Sequence, residues 1–340
     1  MAYSDDKSGQ LWQAATNGEL DSAKLLLEDP AVNVNWVGQE RWDTPLHRAC
    51  RFGRKEVVLE LLSHPNIEVN KGNLGLGTPF YIACQEGHKE TVKVLMADPR
   101  VDVNSPQDEE ATPFSVACQN GRGDVVELLM GDPRVNVAKP DFESYSSFWT
   151  ACGNGHLGVV VVLLLDQRID INLPANDNTS PLWITSQNGH LLAAKFILAS
   201  GRPVDTRMVS SFNHRTAAAQ GRAMGVKLRE EGEAEEIYLR RRTSGPLIAE
   251  LVDRFEADPV GVRVSLREEP ILRRNRAPLT LFPARGPDLP LFFTLQSSLL
   301  GTCSPWWCSS QTGSWNWGRT PHPARKGSSV SLPPCPWTFR

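Results

Sequence analysis

An alanine-cysteine pair recurs four times along the chain at an interval of 34 residues, and its cysteines are Cys50, Cys84, Cys118 and Cys152. A threonine or serine precedes each of these cysteines by six residues, and a glycine follows each by three. Ser180 and Gly189 continue the same register into a fifth unit. A chain with such a period folds as stacked copies of one unit, because each copy buries its apolar surface only against its neighbours.

The repeated residues predict two antiparallel helices and a turn in each unit. A pair such as Thr44-Pro45 supplies an N-cap hydroxyl and then a first helical residue that needs no N–H. The glycine of each unit favours the left-handed turn that ends a helix. Apolar residues such as Val58 and Leu61 then recur at helical spacing. A stretch ending in Val-Asn, such as Val69-Asn70, predicts a hairpin-like finger before the next unit.

The run Thr44-Pro45-Leu46-His47-Arg48-Ala49, with Gly53 after it, resembles the signature of the ankyrin repeat. Other units replace the Leu-His pair by Phe80-Tyr81, Phe114-Ser115, Phe148-Trp149 and Leu182-Trp183. The resemblance implies an all-α solenoid of helix-turn-helix units with β-hairpin-like fingers. It also implies a non-catalytic module that binds a protein partner.

The period predicts how the chain is organised. Residues 8–211 form six repeats, of which the first is a degenerate N-terminal cap, and residues 212–241 form a degenerate capping repeat. In the capping repeat, Thr216 and Gly225 keep the offset of Thr44 and Gly53. Residues 242–270 form a helical extension, in which Pro246 and the pair Asp258-Pro259 each begin a helix.

The C-terminal region has a different composition. Residues 277–340 hold ten of the 25 prolines and five of the ten tryptophans, and their one acidic residue is Asp288. Proline scattered among Ser, Trp and Gly breaks helices and strands, so this tail is predicted to be largely unstructured. A shifted reading frame is a second explanation of its composition, and peptides from residues 280–340 in the endogenous protein would rule that out.

Composition and charge exclude several classes of ligand. The chain has 36 Lys and Arg against 39 Asp and Glu, a net charge of -3, so its overall field does not attract nucleic acid or an anionic membrane. Its longest apolar run in the first 200 residues, Val159 to Leu165, is too short to span a bilayer, and its start lacks a secretory signal. We therefore expect a cytoplasmic or nuclear protein with no membrane, nucleic-acid or small-molecule ligand.

Residue types that carry chemistry have structural explanations here. Equivalent atoms of stacked units lie about 8–10 Å apart, too far for a disulfide, so the four cysteines are expected in the core. The histidines follow the repeat pattern and have no nucleophile beside them, so no catalytic residue and no cofactor are expected. The runs Arg240–Arg242 and Arg273–Arg276 favour a solvated charged face over a nucleic-acid patch.

One metal site remains open in the tail. Cys303, Cys308, His322 and Cys335 can in principle gather one zinc ion, although their spacing matches no compact zinc finger. No metal is expected, and a zinc-dependent activity of the tail is a hypothesis that metal analysis of the purified chain would test.

The first helices and the finger tips leave a concave face free for binding, as the resemblance implies. The predicted partner-binding residues on it are Trp36, Arg41, Trp42, Arg51, Phe52, Leu74, Gln85, Glu86, Asp108, Glu109, Gln119, Asn120, Phe142, Tyr145, Asn154 and Gln187. Aromatic and arginine side chains dominate interface energies, so Trp36, Trp42, Arg51 and Phe52 are predicted anchors. The acidic middle fingers would orient the partner.

Two alternatives accompany these predictions. The two tryptophans are equally explained by packing on neighbouring fingers. The chain is predicted to be an adaptor or scaffold, and the alternative is a regulatory fragment of a larger enzyme or complex whose catalytic part lies outside this chain.

Overall fold

A computed structural model describes residues 6–38, 41–227 and 233–274. Within these residues the chain forms sixteen α-helices and no strand. They are α1 (Lys7–Asn17), α2 (Leu20–Leu27), α3 (Pro45–Arg51), α4 (Lys55–Ser63), α5 (Pro79–Glu86), α6 (Lys89–Ala97), α7 (Pro113–Gln119), α8 (Gly123–Met130), α9 (Ser147–Asn154), α10 (Leu157–Leu165), α11 (Pro181–Asn188), α12 (Leu191–Ala199), α13 (Ala217–Val226), α14 (Glu235–Ala257), α15 (Pro259–Glu268) and α16 (Pro270–Arg274). The tail, residues 277–340, and the zinc candidates Cys303, Cys308, His322 and Cys335 lie outside the described residues.

The helices stack in two layers. The first helices of successive pairs, from α1 through the odd-numbered helices to α13, each contact the next. The second helices, from α2 through the even-numbered helices to α14, form the other layer in the same way. Each pair therefore buries its apolar surface against the pairs before and after it, as the predicted solenoid requires.

The predicted helix caps are confirmed. The hydroxyls of Thr44, Thr78 and Thr112 accept a hydrogen bond from the backbone N–H three residues later. Ser146 caps α9 in the same way, although the proline of the other units is missing there. The turn glycines have left-handed backbones, with φ of 63° at Gly53. Only glycine adopts this conformation without a steric penalty, which explains its place in the period.

The core follows the same period. Phenylalanines or leucines at the start of the first helices are at most 1% exposed, as are the leucines of the second helices; they include Leu46, Phe80, Phe114, Phe148, Leu61, Leu95, Leu129 and Leu163. Burying each such side chain stabilises the fold by roughly 1.5–3 kcal/mol. Because successive first helices and successive second helices contact each other, the stability of one unit depends on its neighbours.

The C-terminal end differs from the prediction in two ways. Gly225 does not end a helix but lies inside α13, and a Cβ there would come 2.4 Å from Pro246 Cγ. Pro246 does not begin a helix either, because α14 runs through it and through the predicted boundary between residues 241 and 242. The close packing of α14 on α13, with Gly221 against Gly245, offsets the hydrogen bond that an internal proline removes.

Candidate functional site

Six turns project between the helix pairs, and we call them fingers 1 to 6. They comprise residues 36–38 with 41–43, then 70–77, 104–111, 138–145, 172–179 and 206–215. Backbone bonds close each finger, as from Asn73 N to the Gly77 carbonyl at 3.1 Å. In each finger, the residue two positions before the N-cap of the next helix has a left-handed backbone. Trp42, for example, has a φ of 56°. Fingers 2 to 5 thus close in the same way, as their common register predicts, and the closing bonds of fingers 1 and 6 span one more residue.

Backbone hydrogen bonds also join each finger to the next. Leu74 N donates to the Arg41 carbonyl at 2.9 Å, and Asp108 N donates to the Gly75 carbonyl at 3.2 Å. The same bond runs from Phe142 N to Glu109 and continues to finger 6. Because these bonds involve only the backbone, they hold the row of tips in place whatever side chains the tips carry.

Several tips expose large apolar side chains. Trp42 is 56% exposed, Leu74 is 60% exposed and Phe142 is 71% exposed. Leu76 and Phe212 are exposed in the same row. Large exposed apolar side chains that lie along one backbone ladder make these tips candidates for an interaction site.

The N-terminal aromatic residues differ in their exposure. Trp42 projects into solvent, Phe52 is partly exposed, and Trp36 is half-buried. The Arg48 guanidinium lies over the rings of Trp12 and Phe52, at 4.3 and 4.8 Å from their centroids. Phe52 is therefore partly covered by its own chain, and Trp42 offers the larger free surface.

The guanidinium of Arg51 makes ion pairs within the array. It pairs with Asp43, whose side chain is only 2% exposed, at 3.2 Å and with Glu86 at 3.3 Å. Asp43 also accepts a hydrogen bond from Asn73 at 2.9 Å. Since these residues come from three successive repeats, Arg51 links units of the array. The predicted site residue Glu86 belongs to the same network.

Other predicted site residues are also used between repeats. Asn154 donates to the Gln119 carbonyl at 2.9 Å, and Gln187 accepts from Gln220 at 3.3 Å. Tyr145 stacks on Trp149 with 4.1 Å between the ring centroids. Asn120 lies 3.5 Å from the carbonyl of Gln85. The side chains of Asn154, Gln187, Tyr145 and Asn120 are partly committed to the array. The exposed polar members of the predicted site are Arg41, Asp108, Glu109, Gln119 and Asn120.

The middle fingers concentrate carboxylates. Asp141 accepts hydrogen bonds from the backbone of Tyr145 and Glu143, yet burial and then the charges of Glu143 and Glu109 raise its pKa to about 6. The negative charges of carboxylates on adjacent fingers therefore repel one another, and a cation placed among them would be attracted.

Ring N–H groups of the first helices donate hydrogen bonds to backbone carbonyls at the C-terminal end of the next finger. His47 Nε2 donates to the Gly77 carbonyl at 3.0 Å, and its Nδ1 accepts from Thr44 N. Trp149 donates to the Thr179 carbonyl and Trp183 to the Arg215 carbonyl, both at 3.1 Å. The tryptophans that replace the histidine of the repeat thus keep its link to the next finger. The burial of His47 lowers its pKa to about 4.

The four repeat cysteines are free thiols inside the core, as predicted, and burial raises the pKa of each. In the described residues no group of three His, Cys, Asp or Glu side chains is placed to hold a metal ion. No helix among those residues has the length and apolar character needed to cross a membrane.

The sequence prediction missed several tip residues. Leu76 and Glu110 occupy the same left-handed position as Trp42, two residues before the N-cap of the next helix. Glu143 and Phe212 also lie at exposed tips. The period itself could have identified Leu76 and Glu110, because Trp42, Leu76 and Glu110 are separated by 34 residues.

Comparisons with known proteins agree with this geometry. A family model described as ankyrin repeats (three copies) matches residues 4–73, 71–141 and 114–208. The structure is similar to a crystal structure of the ankyrin repeat domain of Bcl-3, described as a unique member of the IkappaB protein family, with 19% sequence identity and a TM-score of 0.54. That match covers 68% of this chain and 97% of the other, and at this identity it shows the fold alone. No curated protein sequence matches the chain.

Proposed function

The chain belongs to the ankyrin-repeat family, whose members are generally protein-protein interaction modules, and we propose that it is an adaptor or scaffold. Its partner protein binds the concave face formed by the first helices and the finger tips. The fold is typically non-catalytic, and we infer that the chain has no enzymatic role of its own.

One observation supports this proposal above the others. The backbone ladder between fingers holds exposed Trp42, Leu74 and Phe142 in one row. A partner that covers these side chains removes their apolar surface from water. Because the hydrogen-bonded backbone of the tips is already ordered, little conformational entropy is lost on binding. Trp42 is the N-terminal anchor of the row, and Phe52, which Arg48 partly covers, is a weaker contact at the end of α3.

The test is partner capture with the full chain and a matched control. A Trp42→Ala/Phe142→Ala variant is expected to lose capture of its cellular partner, because both aromatic anchors are removed. A Leu25→Ala/Leu59→Ala variant removes exposed apolar side chains from second helices and is expected to capture normally. Both variants should keep the melting temperature of the native chain. Equal capture by the two variants would contradict the proposal, and a lower melting temperature of the Trp42 variant would favour packing of this tryptophan on the fingers.

We also infer a cytoplasmic or nuclear location. The four buried thiols are free, which is typical of a reducing compartment. Fluorescence imaging of the tagged full chain tests the location, and secretion of the tagged protein would contradict it.

A further inference from the structure

Finger 3 carries two acidic side chains whose charge the chain does not neutralise. Asp108 and Glu109 are exposed, and among the described residues neither carboxylate accepts a hydrogen bond or forms an ion pair. The neighbouring Glu110 has Lys139 as a partner, at 3.9 Å. Burying unpaired carboxylates under an uncharged surface is strongly unfavourable. A partner that covers finger 3 must therefore supply positive charge.

A buried tyrosine indicates the same place. Tyr81 occupies the repeat position of His47 and Trp149, whose ring N–H groups donate to the next finger. Tyr81 is only 5% exposed, yet its hydroxyl makes no hydrogen bond in the part of the chain that the structure describes. Burial, followed by the charges of Glu109 and Asp108, raises the pKa of its phenol. The phenol thus lies within electrostatic reach of both carboxylates, and its hydroxyl needs a partner from outside the chain.

An exposed aromatic ring lies on the other side of finger 3. The backbone N–H of Phe142 donates to the Glu109 carbonyl at 3.2 Å, and the Phe142 side chain is 71% exposed. The carboxylates beside this ring are used inside finger 4. Asp141 accepts hydrogen bonds from the backbone of Glu143 and Tyr145, and the Glu143 carboxylate interacts with the Tyr145 hydroxyl. The carboxylates that lack a partner are therefore those of finger 3.

The donors and acceptors of this place limit which cation it can bind. Among the described residues, no three His, Cys, Asp or Glu side chains are placed to hold a metal ion. An arginine guanidinium has five N–H donors in one plane, so it can bond to several oxygens at once, and its face stacks on aromatic rings. A lysine ammonium carries the same charge but has no flat face.

We propose that fingers 3 and 4 form a receptor for one arginine side chain of the partner protein. The carboxylates of Asp108 and Glu109 and the hydroxyl of Tyr81 accept hydrogen bonds from the guanidinium, and the Phe142 ring stacks on its face. Exposed Leu74 on finger 2 and Phe142 on finger 4 border finger 3, so apolar residues beside the arginine add contacts. The inference rests on the proposed function and states the chemistry of the partner.

The test measures the binding of fluorescein-labelled peptides to the full chain by fluorescence anisotropy. The matched peptide has one arginine between two leucines, with serine and glycine on both sides. Two control peptides replace the arginine by lysine, which keeps the charge, or by citrulline, which keeps the planar shape without the charge. The arginine peptide is expected to bind at least about tenfold more tightly than the citrulline peptide and about threefold more tightly than the lysine peptide.

A pair of charge variants tests the carboxylates. Asp108→Asn/Glu109→Gln removes both charges with little change in side-chain size, and it is expected to weaken the arginine peptide at least about tenfold. Glu56→Gln/Glu256→Gln removes two charges from exposed positions on α4 and α14 and should leave binding unchanged.

Two further variants test the ring and the hydroxyl. Phe142→Leu keeps an apolar side chain but offers no ring face, so it should abolish the preference for arginine over lysine. Tyr81→Phe should weaken the arginine peptide about threefold. It should also keep the melting temperature of the native chain, because the hydroxyl has no bond within the described residues to lose.

Four outcomes would each overturn the inference: no binding of the arginine peptide at about 1 mM, equal binding of the lysine or citrulline peptide, equal weakening by the two charge variants, or self-association of the chain that Asp108→Asn/Glu109→Gln abolishes. The last outcome would assign finger 3 to a second copy of the chain. If partner capture depends on Trp42 and Phe142 while the arginine peptide fails these tests, the inference alone fails and the proposed function stands. If capture is also insensitive to the tips, both fail.

Discussion

The side-chain amide of Asn104 donates to the carbonyl of Arg134 in the next repeat at 2.7 Å. The Asn104 oxygen accepts from the backbone N–H of Asn136, also at 2.7 Å. Asn70 makes the same pair of bonds to residues 100 and 102. A single side chain at this position therefore satisfies two backbone groups of the following unit.

This series of asparagine hydrogen bonds is interrupted at Ala138, which lies 34 residues after Asn104 and so occupies the same position in the next repeat. Ala138→Asn should supply the missing donor and acceptor to the backbone of residues 168 and 170, and raise the free energy of unfolding by about 1 kcal/mol. Urea denaturation measures the change. Asn104→Ala should lower stability by a similar amount, and no gain from Ala138→Asn over Ala138→Ser would refute the explanation.

Removing Arg51 should destabilise the array. Arg51→Ala leaves Asp43 almost fully buried without its closest cation, so we expect a loss of about 3 kcal/mol. The double variant Asp43→Ala/Arg51→Ala should lose less than Arg51→Ala alone, because the buried carboxylate is then removed together with its closest cation. Thermal melting measures both. Arg41→Ala, at an exposed position of finger 1, is the control and should leave the melting temperature unchanged. An equally stable Arg51→Ala variant would show that the network is dispensable.

Stability should fall as the solution is acidified below neutrality. Burial, followed by the nearby charge of Arg240, lowers the pKa of His190 to about 4. The unfolded chain takes up a proton at its ordinary pKa of 6.5 while the folded chain stays neutral, so stability is lost between about pH 6.5 and pH 4. The His190→Gln variant should show a shallower fall over this range in denaturation curves.

Asp141 titrates in the same range with the opposite sign. Its raised pKa means that the folded chain binds the proton first, which favours folding as pH decreases. The comparison of His190→Gln with the native chain isolates the histidine, because both proteins contain Asp141. An unchanged slope would show that His190 contributes nothing to the pH dependence.

Two glycines in helices should respond oppositely to alanine. A Cβ at Gly221 would come 2.5 Å from the Gly245 carbonyl oxygen, so Gly221→Ala should separate α13 from α14 and cost about 1–3 kcal/mol. At Gly158, in α10, no atom lies within 4 Å of the same Cβ. Gly158→Ala should therefore stabilise the chain by up to about 1 kcal/mol through helix propensity. Thermal melting of the two variants distinguishes the cases, and a stable Gly221→Ala variant would contradict the close packing of the C-terminal helices.

The features predicted from the sequence are those whose causes are local. A threonine hydroxyl caps the N–H three residues away, and a glycine adopts its left-handed turn without help from distant residues. These local rules, repeated at one period, are sufficient to predict the helix pairs, the buried Cys50 column and the fingers. The exposure of Leu74 and Phe142 at the tips follows from the same register.

The exposed tips Leu76 and Glu110 could have been found from the period, but other missed features depend on contacts between elements that are distant in the sequence. Arg51 is a residue type that often anchors a binding partner. Only the structure shows that it pairs with Asp43 and Glu86 and so connects successive repeats. Pro246 has the pattern of a helix start, and only its contact with Gly225 on α13 shows why α14 continues through it. The sequence by itself determined the repeat, its helices and the order of side chains along the finger row. The tertiary structure alone decided which of those side chains remain available, because the partners of Arg51 do not recur at the 34-residue interval: Gly77 and Asn120 stand one repeat after Asp43 and Glu86.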